Sequence, residues 1–219
     1  MSRSGIVILA AGGSMLSGQP RQLLPFRGRS LLRIAVETAL ETLCRPIIVV
    51  VGAHAERAES EIRDLPVIIA RNDNWQQGMG TAIRCGIQAI FRAERREVLP
   101  TDGCILTLCD QPFITAPFLQ RLANRDGLGG KEIVAAQYNG IDGAPVFFSR
   151  TLYAELLAVA PNKGTRELIQ QFPEKLHSVP CAEAGLDADT AEDDQRFSMV
   201  SGRERSAAIQ KERTRCPSS

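Results

Sequence analysis

Hydrophobic and polar positions along this chain fall into blocks that switch between two periodicities. Short continuous apolar runs predict buried strands, and apolar residues that recur every three or four positions predict helices. On these patterns we predict strands over residues 5–11, 46–52, 65–71, 103–109, 132–138, 145–148 and 176–181. The same patterns predict helices over residues 30–42, 55–64, 80–95, 150–159 and 164–171.

The alternation of strands and helices predicts a mainly parallel sheet with helices on both faces. The turn-rich link over residues 139–143 joins two strands and predicts one antiparallel excursion. Ligands of such sheets bind beyond the carboxyl ends of the strands. Residues 12–21, residues 72–80 and Asp110 each follow a predicted strand, so we expect them to converge on one rim.

Composition excludes several classes of protein. The chain has 219 residues with a formal net charge of +1, so it has no strong overall electrostatic field to attract nucleic acid or membranes. No apolar run approaches a membrane span and no signal peptide is recognisable, and the six scattered cysteines form no C-x-x-C pair. We therefore expect a cytoplasmic protein with reduced thiols, built as one domain over residues 1–202 with a mobile basic tail over 203–219.

A glycine-rich loop follows the first strand and carries the strongest chemical signal. It contains Gly12, Gly13 and Ser14, and the cation Arg21 lies a few residues on. Glycines in such a loop permit φ > 0 and bring backbone N–H groups close to phosphates. The alternative is a tight turn without a ligand. The fingerprints G-x-G-x-x-G and G-x-x-x-x-G-K-[ST] are both absent, and Val51-Gly-Ala-His54 stands where a dinucleotide oxidoreductase has an acidic residue, which disfavours that class.

Ordered motifs through about residue 200 resemble the MobA-like NTP transferase family, which includes molybdenum cofactor cytidylyltransferases and guanylyltransferases. The family pattern L-A-[AG]-G-x-S-x-R-M-G-x-x-K is matched from Leu9, but Leu16, Ser17 and Arg21 replace its Arg, Met and Lys. The resemblance implies a three-layer, Rossmann-like (GT-A-like) nucleotidyltransferase fold. It also implies that the nucleotide is bound by Leu9, Ala10, Ala11, Gly12, Gly13, Ser14 and Arg21.

Two acidic segments are candidate metal sites. Asp110 lies in Leu108-Cys-Asp-Gln-Pro112, and a carboxylate at a strand end suits Mg²⁺, although an Asp there also caps helices or turns. Residues 187–193 are a second acidic stretch, whose alternative is a solvated turn. The resemblance implies that Asp110 and Asp189 together hold Mg²⁺, with Asp187 a weaker candidate, and that Asp110 and Arg21 are catalytic.

Three further segments match family motifs. Residues 72–81 open a helix whose N-terminus we expect to be free for a base or phosphate, which adds Gly78, Gly80 and Thr81 to the nucleotide site; a plain loop and helix cap is the alternative. Gly143 and Pro145 resemble the acceptor side of the family site. Lys163 and Arg166 are candidates for an anionic acceptor, or ordinary polar residues at a helix start.

The implied reaction is Mg²⁺-dependent transfer of CMP from CTP to a small phosphorylated acceptor such as molybdopterin, with release of pyrophosphate. Leu-Ala-Ala-Gly and the Gln-Pro beside the cation favour CTP over GTP. The loss of an Arg at Leu16 keeps open a second function, a nucleotide-binding or chaperone protein with weakened turnover. The basic tail is a candidate dock for an apo-molybdoenzyme, or simply a solvated end.

Overall fold

The structure, a computed structural model, describes residues 3–16, 18–95, 100–125 and 130–186. One sheet contains the strands β1 (Ser4–Ala10), β2 (Ile47–Val51), β3 (Ile68–Arg71), β4 (Gly103–Leu108), β5 (Ile133–Tyr138), β6 (Ile141–Ser149) and β7 (Leu176–Pro180). The α-helices of the described residues are α1 (Leu31–Leu40), α2 (Ala55–Ile62), α3 (Met79–Glu94), α4 (Ala116–Asn124), α5 (Tyr153–Ala158) and α6 (Thr165–Gln170). Two-stranded ribbons pair Met15–Leu16 with Gln19–Pro20 and Pro25–Phe26 with Arg29–Ser30.

The seven strands lie in the order β7-β5-β6-β4-β1-β2-β3. Strand β1 pairs in parallel with both β2 and β4, and β7 pairs in parallel with β5. Strand β6 is antiparallel to both of its neighbours, β4 and β5. The predicted mainly parallel sheet with one antiparallel excursion is therefore confirmed.

Alternate residues of the strands pack in two separate hydrophobic cores, because successive side chains of a strand point to opposite faces of the sheet. On one face Ile6 and Val49 pack with residues of α1, α2 and α4. On the other face Val7 and Val50 pack with residues of α3, α5 and α6. The result is the predicted three-layer α/β architecture, and every residue of β1 and β2 is buried.

Helix α4 was absent from the sequence prediction, although its start signals are present. The Thr115 hydroxyl accepts a hydrogen bond from the Phe118 N–H, and Pro117 lies in the first turn. The link predicted over residues 139–143 is also shorter than expected. Asn139 and Gly140 both have positive φ and form a two-residue turn, so β6 begins at Ile141.

Residues 1–186 form one compact unit, and residues 187–219 lie outside the described part of the chain. The predicted domain boundary at residue 202 and the basic tail over 203–219 therefore stay predictions. No helix among the described residues has the length and apolarity that crossing a bilayer requires.

A charged cluster joins the end of α3 to the chain before β4. The Glu94 carboxylate accepts hydrogen bonds from the Arg150 guanidinium at 2.6 and 3.0 Å and from the Thr101 N–H and hydroxyl at 2.8 and 2.7 Å. Burial alone pushes the pKa of Glu94 upward, but these donors outweigh it and hold the pKa below 4.5. The ionised form of Glu94 is therefore the one that stabilises the fold.

We expect Glu94→Gln to lower the free energy of unfolding by about 1.5–3 kcal/mol near neutral pH, the range for hydrogen bonds to charged groups. Because the folded pKa lies below the unfolded value of 4.5, wild type keeps its advantage above that pH. The advantage is lost as the pH falls through the folded pKa. Urea unfolding at a series of pH values measures this; a difference that does not change with pH contradicts it.

Candidate active site

The loops that carry the predicted site residues lie at one edge of the sheet. Four neighbouring parallel strands have their carboxyl ends there, at Ala10, Val51, Arg71 and Leu108. Antiparallel β6 pairs Ser149 with Gly103 and Val146 with Leu106, so its first residues lie at the same edge. The predicted convergence of residues 12–21, residues 72–80 and Asp110 on one rim follows from this register.

Gln22 ties the loop after β1 to the loop after β2. Its side chain is 2% exposed, and its amide nitrogen donates to the carbonyls of Gly12 at 3.3 Å and Ala53 at 3.2 Å. The N–H of Ala53 in turn donates to the carbonyl of Ala11 at 3.1 Å. These hydrogen bonds thus fix the position of the glycine-rich loop relative to the loop after β2.

The loop presents backbone donors to solvent. Gly12, Gly13 and Ser14 are exposed, and in the described part of the chain their N–H groups donate to no protein acceptor. The carbonyl of Ser14 accepts from the N–H of Arg21 at 3.0 Å, which closes the loop. Three successive amides at the end of a buried strand are suited to phosphate oxygens.

The three residues before the loop lie in the core. Leu9, Ala10 and Ala11 are 7%, 2% and 5% exposed, so their side chains pack inside the protein. A ligand at the rim can therefore contact only the backbone atoms of these three residues.

The glycines at the rim are required for different structural reasons. Gly18 has φ +77°, which its turn requires, whereas Gly12 and Gly13 do not have positive φ, so the expectation of φ > 0 does not hold for these two. A Cβ on Gly13 would lie 2.7 Å from the indole of Trp75, and a Cβ on Gly52 would also meet Trp75 at 2.7 Å. Trp75 therefore packs against two loops at the rim.

Arg21 and Asp110 form an ion pair at the centre of the rim. The Arg21 Nε lies 2.9 Å from the Asp110 Oδ2, and the two side chains are 18% and 13% exposed. Two residues that the sequence analysis assigned to catalysis are thus in direct contact. A pair that is largely shielded from water interacts more strongly than one at the surface.

The neighbouring Cys109 thiol is buried. Burial raises the pKa of Cys109 far above its usual range, and the adjacent Asp110 charge raises it further. The thiolate is the reactive form of cysteine, so burial disfavours Cys109 as a nucleophile, and its side chain packs in the core.

Gln111 braces the segment that carries the predicted acceptor residues. It is 5% exposed, and its amide nitrogen donates to the carbonyls of Ala144 at 3.0 Å and Ala184 at 2.8 Å. Ala144 lies between Gly143 and Pro145, and a Cβ on Gly143 would meet the Tyr138 hydroxyl at 2.5 Å. The structure therefore places the predicted acceptor residues Gly143 and Pro145 beside the strand end that carries Asp110.

The expectation of a free α3 N-terminus needs correction. The N–H of Gly80 donates to the carbonyl of Pro161 at 2.9 Å. A Cβ on Gly78 would lie 2.5 Å from that same oxygen, and one on Gly80 would lie 2.1 Å from the carbonyl oxygen of Ala160. These two glycines let the link between α5 and α6 pack on the start of α3. From the sequence alone, glycines that permit such packing cannot be distinguished from glycines that leave room for a phosphate.

Thr81 is also engaged internally. It is 4% exposed, and its hydroxyl donates to the carbonyls of Gly78 at 2.8 Å and Asn74 at 3.1 Å and accepts from the Asn72 amide at 2.8 Å. Its visible role is to shape the loop over residues 72–80.

Lys163 and Arg166 are surface residues near α6. Both are exposed, at the start of α6 and in the link that packs on α3. Within the described ranges, neither makes a hydrogen bond or ion pair with Gly143, Pro145 or Asp110.

Asp189, the second predicted metal ligand, lies outside the described residues. In the described part of the chain, no group of three or more His, Cys, Asp or Glu side chains forms a metal cluster. Asp110 by itself fits a hard cation, because Mg²⁺ is commonly held by one or two carboxylates and the substrate phosphates.

Gln22 and Gln111 were not selected as site residues from the sequence. The signal that could have found them is a neutral amide beside a charged site residue, within a segment that is otherwise apolar or proline-rich. The amide nitrogens of both residues find carbonyl partners, as most buried polar groups do, whereas the buried Oε1 of Gln111 has no hydrogen-bond partner among the described residues.

A family model described as MobA-like NTP transferase domain matches residues 6–178. The chain belongs to this family. It is 28% identical over 201 residues to nicotine blue oxidoreductase of Paenarthrobacter nicotinovorans, an alignment that covers 86% of this chain and 93% of that protein. It is 25% identical over 194 residues to molybdenum cofactor cytidylyltransferase of Escherichia coli K12, covering 88% and 94%. The family resemblance drawn from the motifs is thus confirmed.

A solved structure has the same fold. The manganese complex of Rv0371c from Mycobacterium tuberculosis H37Rv superimposes with a TM-score of 0.67 at 24% identity, covering 90% of this chain and 98% of that one. At this identity the likeness supports the fold alone, and the manganese belongs to that protein.

Proposed function

We propose that this protein is a divalent-metal-dependent nucleotidyltransferase that moves CMP from CTP to a small phosphorylated acceptor, with molybdopterin the leading candidate. The observation that carries the proposal is the Arg21–Asp110 pair at 2.9 Å, directly after a strand end and beside a loop with exposed amides. A cation, an anion for a metal, and backbone donors are the groups that a triphosphate requires.

The chemical step needs no protein nucleophile. A phosphate oxygen of the acceptor attacks the α-phosphorus of the nucleotide, and the bond from that phosphorus to the oxygen bridging to the β-phosphate breaks. Pyrophosphate leaves with the electron pair of that bond. Because the acceptor phosphate is already anionic, the protein contributes positioning and charge stabilisation.

Each residue has a defined part in this proposal. The amides of Gly12, Gly13 and Ser14 donate to phosphate oxygens, and Arg21 neutralises charge that develops on the leaving pyrophosphate. Gly143 and Pro145 shape the acceptor wall, which Gln111 holds in place. Gly78, Gly80 and Thr81 support the nucleotide side through packing, and Lys163 and Arg166 attract an anionic acceptor from the margin.

Asp110, with Asp189, would hold Mg²⁺. When bound, such an ion supplies positive charge to phosphate oxygens during the displacement. The chain's own contribution is a carboxylate that is fixed at a strand end and 13% exposed.

The test is pyrophosphate release by the purified protein with Mg²⁺ and either CTP or GTP, with and without molybdopterin. We expect release that requires CTP and molybdopterin together. Release with GTP only would overturn the nucleotide assignment. The absence of release with either nucleotide, while CTP binds in calorimetry, would favour the second candidate below or another acceptor.

The second candidate is a nucleotide-binding or chaperone protein with weakened turnover. Leu16 favours it, because the family pattern has an Arg there, and Leu16 lies in the ribbon directly after the amide loop. Measurable CTP affinity without pyrophosphate release, for every phosphorylated acceptor tried, is the expected result of this alternative.

A third candidate, an oxidoreductase, is raised by the similarity to nicotine blue oxidoreductase. The chain lacks the dinucleotide fingerprint after β1. Titration with NADH and NADPH, followed by the fluorescence of the single tryptophan, separates this candidate from the other two.

A further inference from the structure

The contact between Arg21 and Asp110 has a consequence for how the metal binds. In the ligand-free structure the Asp110 carboxylate, which the proposed function assigns to the metal, already has a cation 2.9 Å away. Guanidinium and metal would both draw on the oxygens of one largely buried carboxylate. A divalent ion that binds there without nucleotide must weaken the ion pair and then face a nearby positive charge in a poorly solvated place.

A triphosphate changes this balance. Its oxygens accept paired hydrogen bonds from a planar guanidinium, which suits phosphate geometry well. The exposed amides of residues 12–14 lie on the loop that Arg21 closes through its N–H bond to Ser14. A nucleotide bound to that loop therefore offers Arg21 a new partner close by, and the Asp110 oxygens become available to the cation.

We infer that Arg21 couples metal binding to nucleotide binding by occupying Asp110 until a triphosphate arrives. This inference rests on the proposed function for the identity of the two ligands. Its consequence is an order of binding: the metal binds weakly to the free protein and tightly with the nucleotide. By linkage, the metal raises nucleotide affinity by the same factor.

The decisive measurement is the affinity of the nucleotide-free protein for Mn²⁺, followed by the electron paramagnetic resonance signal of free Mn²⁺. For Arg21→Gln we expect Mn²⁺ to bind roughly tenfold more tightly than to wild type, because one charged interaction no longer opposes it. The opposite sign is expected if Arg21 merely supports the fold, since a loosened site binds metal less well. Unchanged or weaker Mn²⁺ binding by this variant overturns the inference.

Two variants control for charge and location. Arg29→Gln removes one positive charge from the same segment, where Arg29 pairs with Glu37 and not with Asp110. Its Mn²⁺ affinity should stay within about twofold of wild type, because an exposed charge is screened by salt. The double variant Arg21→Gln, Asp110→Asn should lose the gain, which places the Mn²⁺ at Asp110.

Arg21→Lys keeps the test decisive if Arg21→Gln does not fold, as judged by thermal melting. Lys retains the charge but has no planar fork, so it holds Asp110 less firmly, and we expect Mn²⁺ to bind about threefold more tightly than to wild type. Mn²⁺ binding needs no turnover, so the two hypotheses separate. A gain in Mn²⁺ affinity without pyrophosphate release contradicts the proposed function alone, and pyrophosphate release without that gain contradicts the coupling alone.

Discussion

We expect Asp110→Asn to lower the rate of pyrophosphate release roughly 10²- to 10³-fold, the range for removing one preorganised charge-stabilising group from an active site. Asparagine has the size of aspartate but no charge, so it neither balances Arg21 nor attracts a divalent cation. Steady-state kinetics at saturating CTP and acceptor, over a range of Mg²⁺ concentrations, measures the loss. Part of the loss should be recovered at high Mg²⁺ by Asp110→Glu, which keeps the carboxylate.

Asp64→Asn is the matched control for this change. Asp64 also pairs with an arginine, Arg33 at 2.7 Å, but its side chain is 57% exposed and lies between α2 and β3, at the opposite edge of the sheet. The Arg33 partner lowers the pKa of Asp64 to about 2, so Asp64 is ionised under assay conditions. Equal rates for Asp110→Asn and wild type would remove Asp110 from the catalytic site.

We expect Leu16→Arg to tighten triphosphate binding roughly 10- to 150-fold. One charge-assisted hydrogen bond contributes about 1.5–3 kcal/mol, and about 1.4 kcal/mol corresponds to a factor of ten. Leu16 is partly exposed and pairs with Gln19 in the ribbon after the amide loop, so an arginine there has room to reach a phosphate. The measurement is the dissociation constant of a CTP analogue with a methylene bridge between the α- and β-phosphates.

Leu43→Arg adds the same charge elsewhere. Leu43 is 80% exposed and lies between α1 and β2, at the edge of the sheet opposite the rim. Its effect on the dissociation constant should be small and should vanish at high salt. If Leu16→Arg and Leu43→Arg behave alike, the gain is a general charge effect and the triphosphate does not lie at residue 16.

Local sequence patterns were sufficient for most of the strands and helices. The β1 and β2 segments are continuous apolar runs because both faces of the central strands are covered, so their burial is visible in one dimension. Helix α4 was missed although the sequence contains its signals, which are the Thr115 cap, Pro117 in the first turn and apolar residues at helical spacing from Ala116 to Ala123.

The candidate site was predicted unevenly for a related reason. Arg21 and Asp110 were found because motifs mark them, and the parallel order of β1 and β4 is enough to bring both to one edge. The prediction that the N-terminus of α3 is free was wrong, because the Gly80 N–H donates to the carbonyl of Pro161, which belongs to a distant segment of the chain. The sequence of residues 72–81 gives no indication of that contact.

The sequence by itself determined the fold class, the family and the edge of the sheet that carries the candidate site, because these depend on periodicity, strand order and ordered motifs. The tertiary structure alone decided which polar groups are already engaged. It joined Arg21 to Asp110, tied Gln22 to two loops, and gave Gly80 a packing role. Hydrogen bonds and ion pairs between segments far apart in the chain depend on ångström-scale distances, which residue order does not contain.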